Sequence, residues 1–184
     1  MRTWPLVALV LVAAAPAFAQ PAPRSAPPSA AGTPADAKFV ALYTREWAWR
    51  MNEFPERERG DAPVPDRLPK VDPASEARRM AYWQAVRKDL DAIPEAALSE
   101  GERVNYAVYR DQIDVLISQQ KFHEYEKPFN SDSSFWSGLG FTASRKFHTA
   151  QDYRNYIALL NDVPRYFHDE MNEMRAGLKR GFTP

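Results

Sequence analysis

The sequence predicts an all-α fold: amphipathic helices in a bundle-like layer, with one aromatic, glycine-containing loop or short hairpin. Three observations lead there. Four segments join a helix-start signal to apolar residues spaced three and four apart. No alternating run is long enough to argue for a sheet. The one stretch without helical character, "PFNSDSSFWSGLGFTASRKF" from Pro128 to Phe147, lies between the third and fourth segments.

The first helix starts at "TPAD", with Thr33 as N-cap, Pro34 at the first helical position and Asp36 facing the free N–H groups. Its expected buried face is Phe39, Val40, Tyr43, Trp47, Met51 and Phe54, and Pro55 closes it. Trp47 is expected in the core. Trp49, two residues on, is expected on a second contact surface or partly exposed. A charged, proline-broken loop follows, "ERERGDAPVPDRLPKVDP".

The second helix opens at Asp72-Pro73, places Met80, Trp83, Val86, Leu90 and Ile93 on one side, and stops before Pro94. The third begins at a capping box of Ser99 and Glu102. It carries Tyr106, Tyr109, Ile113 and Leu116 on one stripe and Val104, Val108 and Val115 on another. Two apolar stripes predict a central helix covered on both sides.

The fourth also opens with a box, Thr149 and Asp152. Its expected stripe is Tyr153, Tyr156, Ile157, Leu160, Val163, Phe167, Met171, Met174 and Leu178. Pro164 lacks the N–H a helix interior needs, so a kink or a restart capped by Asp162 is expected there. Gly181 reads as the helix exit.

The loop between helices three and four has two readings: a hairpin or ordered loop packed on the bundle, or a ligand-facing loop lining a cleft.

Upstream of the helices the chain reads as an address. Arg2 gives a basic start, and "LVALVLVAAA" is an apolar run too short for a stable span. "AFA" then offers a cleavage site between Ala19 and Gln20. Residues 1–19 are expected to be a secretory signal peptide that leaves no stable membrane anchor after cleavage. Residues 20–34, "QPAPRSAPPSAAGTP", bury too little apolar surface to offset ordering and are expected to be a linker. Residues 35–184 form the helical part. The sequence has no cysteine, so disulfide stapling and lipid attachment through a thiol are unavailable. Export and this composition together predict a periplasmic or secreted bacterial protein.

Charge excludes some partners. The chain carries 24 basic and 24 acidic side chains; Arg2 is the only charged residue in 1–19, leaving 23 against 24, or −1. No basic stripe awaits phosphates, so no nucleic-acid partner is expected.

Site chemistry is mostly missing from the sequence. The three histidines, His123, His148 and His168, are far apart. "HEYEK" from His123 has Lys127 where a zinc helix needs its second histidine. "HDEMNE" from His168 offers carboxylates without a second imidazole. Both are expected to be solvated helix faces. No G-x-S-x-G elbow frames Ser133 or Ser134, and "GLG" at Gly138–Gly140 is a turn signal. Glu53, Glu56 and Glu58 are close in sequence, which means little without a cleft to raise one pKa. No catalytic, cofactor-binding or metal-ligating residue is therefore assigned.

The succession "LYTREWAWRMNEFPE", "ARRMAYWQAVRKDLDAI", "LSEGERVNYAVYRDQI" and "TAQDYRNYIALLNDVPRYFHDEMNEMRAGLKRGFTP" resembles the amino-terminal region of domain-of-unknown-function family 885. That family comprises secreted, mostly helical bacterial proteins. The resemblance implies a metallopeptidase-like hydrolase whose zinc motif, His-Glu-x-x-Pro-Gly-His, lies further along the chain. This sequence lacks that motif, so no functional residue carries over. The implied reading is an inactive amino-terminal part. It would form one wall of a substrate cleft for a peptide-like ligand and await a C-terminal catalytic region with its zinc. A stand-alone helical binding or interaction module is the alternative.

Overall fold

The computed structural model describes residues 32–57 and 61–183. The signal peptide, the Ala19/Gln20 cleavage site, nearly all of the linker and Glu58 lie outside the described residues. Among the described residues four α-helices carry the fold: α1 (Pro34–Glu53), α2 (Pro73–Asp91), α3 (Glu100–Lys121) and α4 (Ala150–Lys179). Short 3-10 turns occupy Pro55–Arg57, Glu95–Ala97, Glu124–Glu126 and Leu139–Ser144. Among the described residues there is no strand, only an isolated antiparallel bridge between Phe129 and Ser134. The fold is all-α, as the sequence predicts.

The caps show why the helices begin where they do. Thr33 Oγ1 accepts from Asp36 N–H at 3.1 Å, and Asp36 accepts in return from Thr33 N–H at 2.7 Å. The other oxygen of Asp36 accepts from Ser99 N–H at 2.9 Å, so this one carboxylate caps α1 and anchors the start of α3. These bonds, led by Ser99, hold its pKa below the usual range. The box expected from Ser99 and Glu102 does not form. The Ser99 side chain makes no capping bond, because Asp36 reaches its backbone instead. Asp72 caps α2 through Ser75 N–H at 2.7 Å, and Thr149 with Asp152 completes the expected box on α4.

Helices α1, α2 and α3 run alternately up and down. Arg45 meets Asp89 and Arg78 meets Glu53 across the first pair, while Tyr106 Oη donates to the Leu90 carbonyl across the second. Phe39, Leu42, Trp83, Val86, Leu90, Tyr106 and Ile113 form their shared core. Complete burial of such a side chain stabilises by about 1.5–3 kcal/mol.

Two expected faces are rotated, and a third helix is left uncovered on one side. On α1 the buried positions are Ala35, Phe39, Leu42 and Glu46, while Trp47 is 56% exposed. Trp49 packs inward instead, stacked on Tyr82 at 3.8 Å and edge-on to Trp83 at 5.7 Å. On α3 the tyrosine stripe is inside, but Val104, Val108 and Val115 are exposed, so the helix is covered on one side only. On α4 the buried residues are Leu159, Tyr166, Glu170, Glu173 and Gly177, whereas Tyr153, Ile157, Leu160, Met171 and Leu178 face outward. The rotations of α1 and α4 share one cause. A glutamate occupies the centre of the buried stripe, and an apolar-only pattern steps around it.

Helix α4 runs unbroken through Pro164, so the expected restart does not occur. Asp162 instead accepts from Leu68 N–H at 2.8 Å and from Arg165 Nε at 2.6 Å. Arg165 also donates to the carbonyls of Leu68 and Pro69, at 3.1 and 3.3 Å. Leu68, Val71, Leu159 and Tyr166 make a second, smaller core, joined by Phe135 and Phe167. At its far end α4 touches the Glu124–Glu126 turn so closely that a Cβ at Gly177 would lie 2.9 Å from Glu126 Cβ. The exit follows the expected glycine pattern: Gly181 has φ +75°, Phe182 N–H reaches the Gly177 carbonyl at 2.9 Å, and Gly181 N–H reaches Leu178 at 3.0 Å.

Candidate functional site

Between the three-helix core and α4 lies a groove of about 750 Å³. Its walls come from the end of α1 (Arg50, Phe54), the start of α2 (Glu76, Arg79, Trp83) and the end of α3 (Leu116, Gln120). Tyr166 and Glu170 of α4 and Phe129 to Leu139 of the connecting loop complete it. The aromatic loop thus lines the cleft, and through Phe135 and Leu139 it also packs on the second core. Phe135 is held there by edge contacts to Tyr166 at 5.8 Å and Phe167 at 4.9 Å. Asn130 shapes the turn by accepting from Asp132 and Ser133 N–H groups at 2.8 and 2.9 Å.

The floor is ionic. Arg79, buried, donates through Nε to Glu53 at 2.9 Å, through Nη1 to Glu76, and through Nη2 to the Lys70 carbonyl at 2.7 Å. Its guanidinium lies 4.8 Å from the Phe54 ring. Gln120 Nε2 occupies the other oxygen of Glu76 at 2.8 Å. Beside this group Glu46, only 1% exposed, takes a two-pronged bond from Arg50 at 2.8 and 2.9 Å. It also accepts from Trp83 Nε1 at 3.2 Å. Buried charges survive only when matched in this way, because leaving one alone costs several kcal/mol (of order 3–5).

Across the groove the matching stops. Glu170 is 4% exposed and keeps its Oε2 without a partner. Burial, with a smaller push from Glu76, drives its pKa up to about 7. Glu56, in the turn after α1, likewise has a buried Oε2 without a partner, and burial raises its carboxyl. Burial also raises Glu76, Glu173 and the phenol of Tyr166, the last helped by Glu170.

Two expectations are corrected here. "HDEMNE" is not a solvated face: Glu170 and Glu173 are buried. Nor is "HEYEK" one. His123 sits at φ 56°, in the left-handed region, and the turn after it buries Glu126. Burial pushes Glu126 upward, but Arg180, bonding through Nε at 3.0 Å and through Nη2, and His123 at 2.9 Å outweigh it and hold the carboxyl low.

Sequence reasoning missed Glu46, Arg50, Glu76, Arg79, Gln120 and Glu170. One signal was present: Glu46, Arg79 and Glu170 each stand four residues from a buried apolar neighbour, Leu42, Trp83 and Tyr166. Among the described residues no three of His, Asp and Glu are grouped to hold a metal, so these side chains do not fit a zinc site. No described helix is long and apolar enough to cross a membrane.

Residues 55–184 match the family described as bacterial protein of unknown function (DUF885). No curated protein and no solved structure matches the chain. The matched stretch is well over half of the sequence and carries α2, α3, the aromatic loop and α4, hence most of the groove, so the chain belongs to the DUF885 family.

Proposed function

We propose that this helical unit is part of the wall of the substrate cleft in an exported, metallopeptidase-like hydrolase. In this reading the zinc and its ligands belong to a catalytic region beyond these residues, and this chain alone is inactive. The observation that carries the proposal is the groove: aromatic walls over a floor of buried, mutually bonded charges between α2 and α4. Such a floor is rigid and shaped, which suits holding an extended peptide-like ligand rather than transforming it. The outward apolar residues of α3 and α4, Val104 at 63% exposure and Leu178 at 65% among them, add support. They offer surface for further protein to cover.

The test is an activity assay on the full chain with a panel of peptides, with and without zinc and a chelator. No zinc-dependent cleavage is expected from it. Stoichiometric zinc binding together with chelator-sensitive hydrolysis by this chain would overturn the proposal.

The second reading is a stand-alone periplasmic binding module, favoured by the loop's place in the groove wall. Supplying a downstream segment of the same reading frame separates the two. If it docks on α3 and α4 and hydrolysis appears, the wall reading holds. If the full chain binds ligand equally well without it and nothing docks, the module reading holds.

A further inference from the structure

We infer that the groove contains a subsite for a protonated alkylamine, formed by the free oxygens of Glu170 and Glu56 beside Tyr166. This rests on the cleft reading above and adds the class of ligand group the cleft takes.

The argument is one of matching. The cations nearest the floor are already used: Arg79 by Glu53, Glu76 and the Lys70 carbonyl, and Arg50 by both oxygens of Glu46. Arg57 stands 3.5 Å from Glu56 Oε1 and leaves Oε2 alone. Among the described groove residues, the buried side-chain atoms without a partner are two carboxyl oxygens, Oε2 of Glu56 and Oε2 of Glu170. Both carboxyls stand near enough to Tyr166 to raise its phenol. An anionic ligand group would meet repulsion there. A donor would supply the bond each oxygen lacks.

Geometry selects among cations. Each carboxyl has one buried oxygen without a partner, and Arg57 approaches the other oxygen of Glu56. A planar guanidinium fork needs two oxygens of one carboxylate, whereas a compact ammonium points three donors in different directions. Phe54, Trp83, Tyr125 and Tyr166 line the same groove and suit an alkyl stem below a cationic head. A divalent cation fits less well, because no third ligand joins the pair among the described residues.

The experiment is calorimetric titration of the full chain at pH 7.5 with blocked Ala-Lys-Ala, blocked Ala-norleucine-Ala, cadaverine and calcium chloride. The lysine peptide is expected to bind at least about tenfold more tightly than the norleucine peptide. Glu170→Gln should abolish that preference and Glu56→Gln should reduce it. Circular dichroism checks folding; should Glu170→Gln fail to fold, Glu56→Gln and the peptide pair on the unaltered chain decide.

The preference should shrink about tenfold per pH unit below about 7, as Glu170 protonates. Tyr166, Asp169, Glu76 and Arg79 are the charged or titratable groups acting on it. Cadaverine binding as tightly as the lysine peptide identifies free amines as the source, and weaker cadaverine binding identifies peptide side chains; both support the subsite. Equal binding of lysine and norleucine peptides overturns the subsite and leaves the cleft reading standing. Calcium binding that is lost in Glu170→Gln, without amine preference, also overturns it. Binding of none of the four probes likewise overturns the subsite and leaves the cleft reading to the cleavage and docking tests.

Discussion

The two ends of the three-helix core are built differently from the same three helices. At one end Phe39, Leu42, Val86, Leu90 and Tyr106 meet with almost no polar atom between them. At the other, where α1 ends and α2 begins, Glu46, Glu53, Glu76, Arg79 and Gln120 fill the same space. Because α1 and α2 are antiparallel, the polar ends of their sequences coincide in space. The apolar end holds the fold through burial, which is tolerant of direction. The ionic end works only while every charge keeps its partner, so it makes a floor of fixed shape and borders the groove.

That contrast can be broken from either side. The largest loss is expected from Arg79→Leu, which leaves Glu76 with Gln120 as its one remaining donor and Glu53 with only the exposed Arg78: about 3–5 kcal/mol in urea unfolding. Leu90→Ala at the apolar end should cost about 2–5 kcal/mol, set by how far the core relaxes around the cavity.

Glu170→Gln should act with the opposite sign. A buried carboxyl raised to about 7 is protonated in the fold at pH 5 and loses its proton more readily once unfolded. Its contribution therefore destabilises progressively as pH rises from about 4.5 to 7. The variant should gain up to about 3 kcal/mol at pH 8 and little at pH 4.5, read from paired denaturation curves. Glu56, Glu76 and Glu173 push in the same direction. Asp72 and Asp162, held low by hydrogen bonds from Ser75 N–H and from Arg165, stabilise above pH 4 and lose that contribution as pH falls further.

Gly177→Ala should sharpen the comparison by testing how α4 closes the groove. The new methyl meets Glu126 Cβ and its carbonyl, forcing α4 off the turn, with a loss of about 1–3 kcal/mol in thermal unfolding. The smallest effect is expected at Val108→Ser on the exposed side of α3, within about 0.5 kcal/mol of no change. A loss above 1 kcal/mol there would mean the face is covered in solution.

Local signals were legible wherever chemistry and chain position coincide. The helix starts at Pro34, Pro73, Glu100 and Ala150, the glycine exit at Gly181, and the apolar faces of α2 and α3 follow from caps and spacing. Asp36 shows the limit of that reading. Its role in the α1 box is local, but its bond to Ser99 N–H joins residues 63 apart, and no pattern within a helix announces it. The rotated faces of α1 and α4 have the same origin. Glu46 and Glu170 read as surface residues, because a carboxylate is normally kept in water.

The sequence by itself determined an all-α chain, the starts of its helices and the loop that breaks their succession, since these rest on residues within a few positions of one another. Only the tertiary structure decided which glutamates are buried, which are matched and which keep a free oxygen. Whether a charge can leave water depends on partners from other helices, and those meet only when the chain has folded.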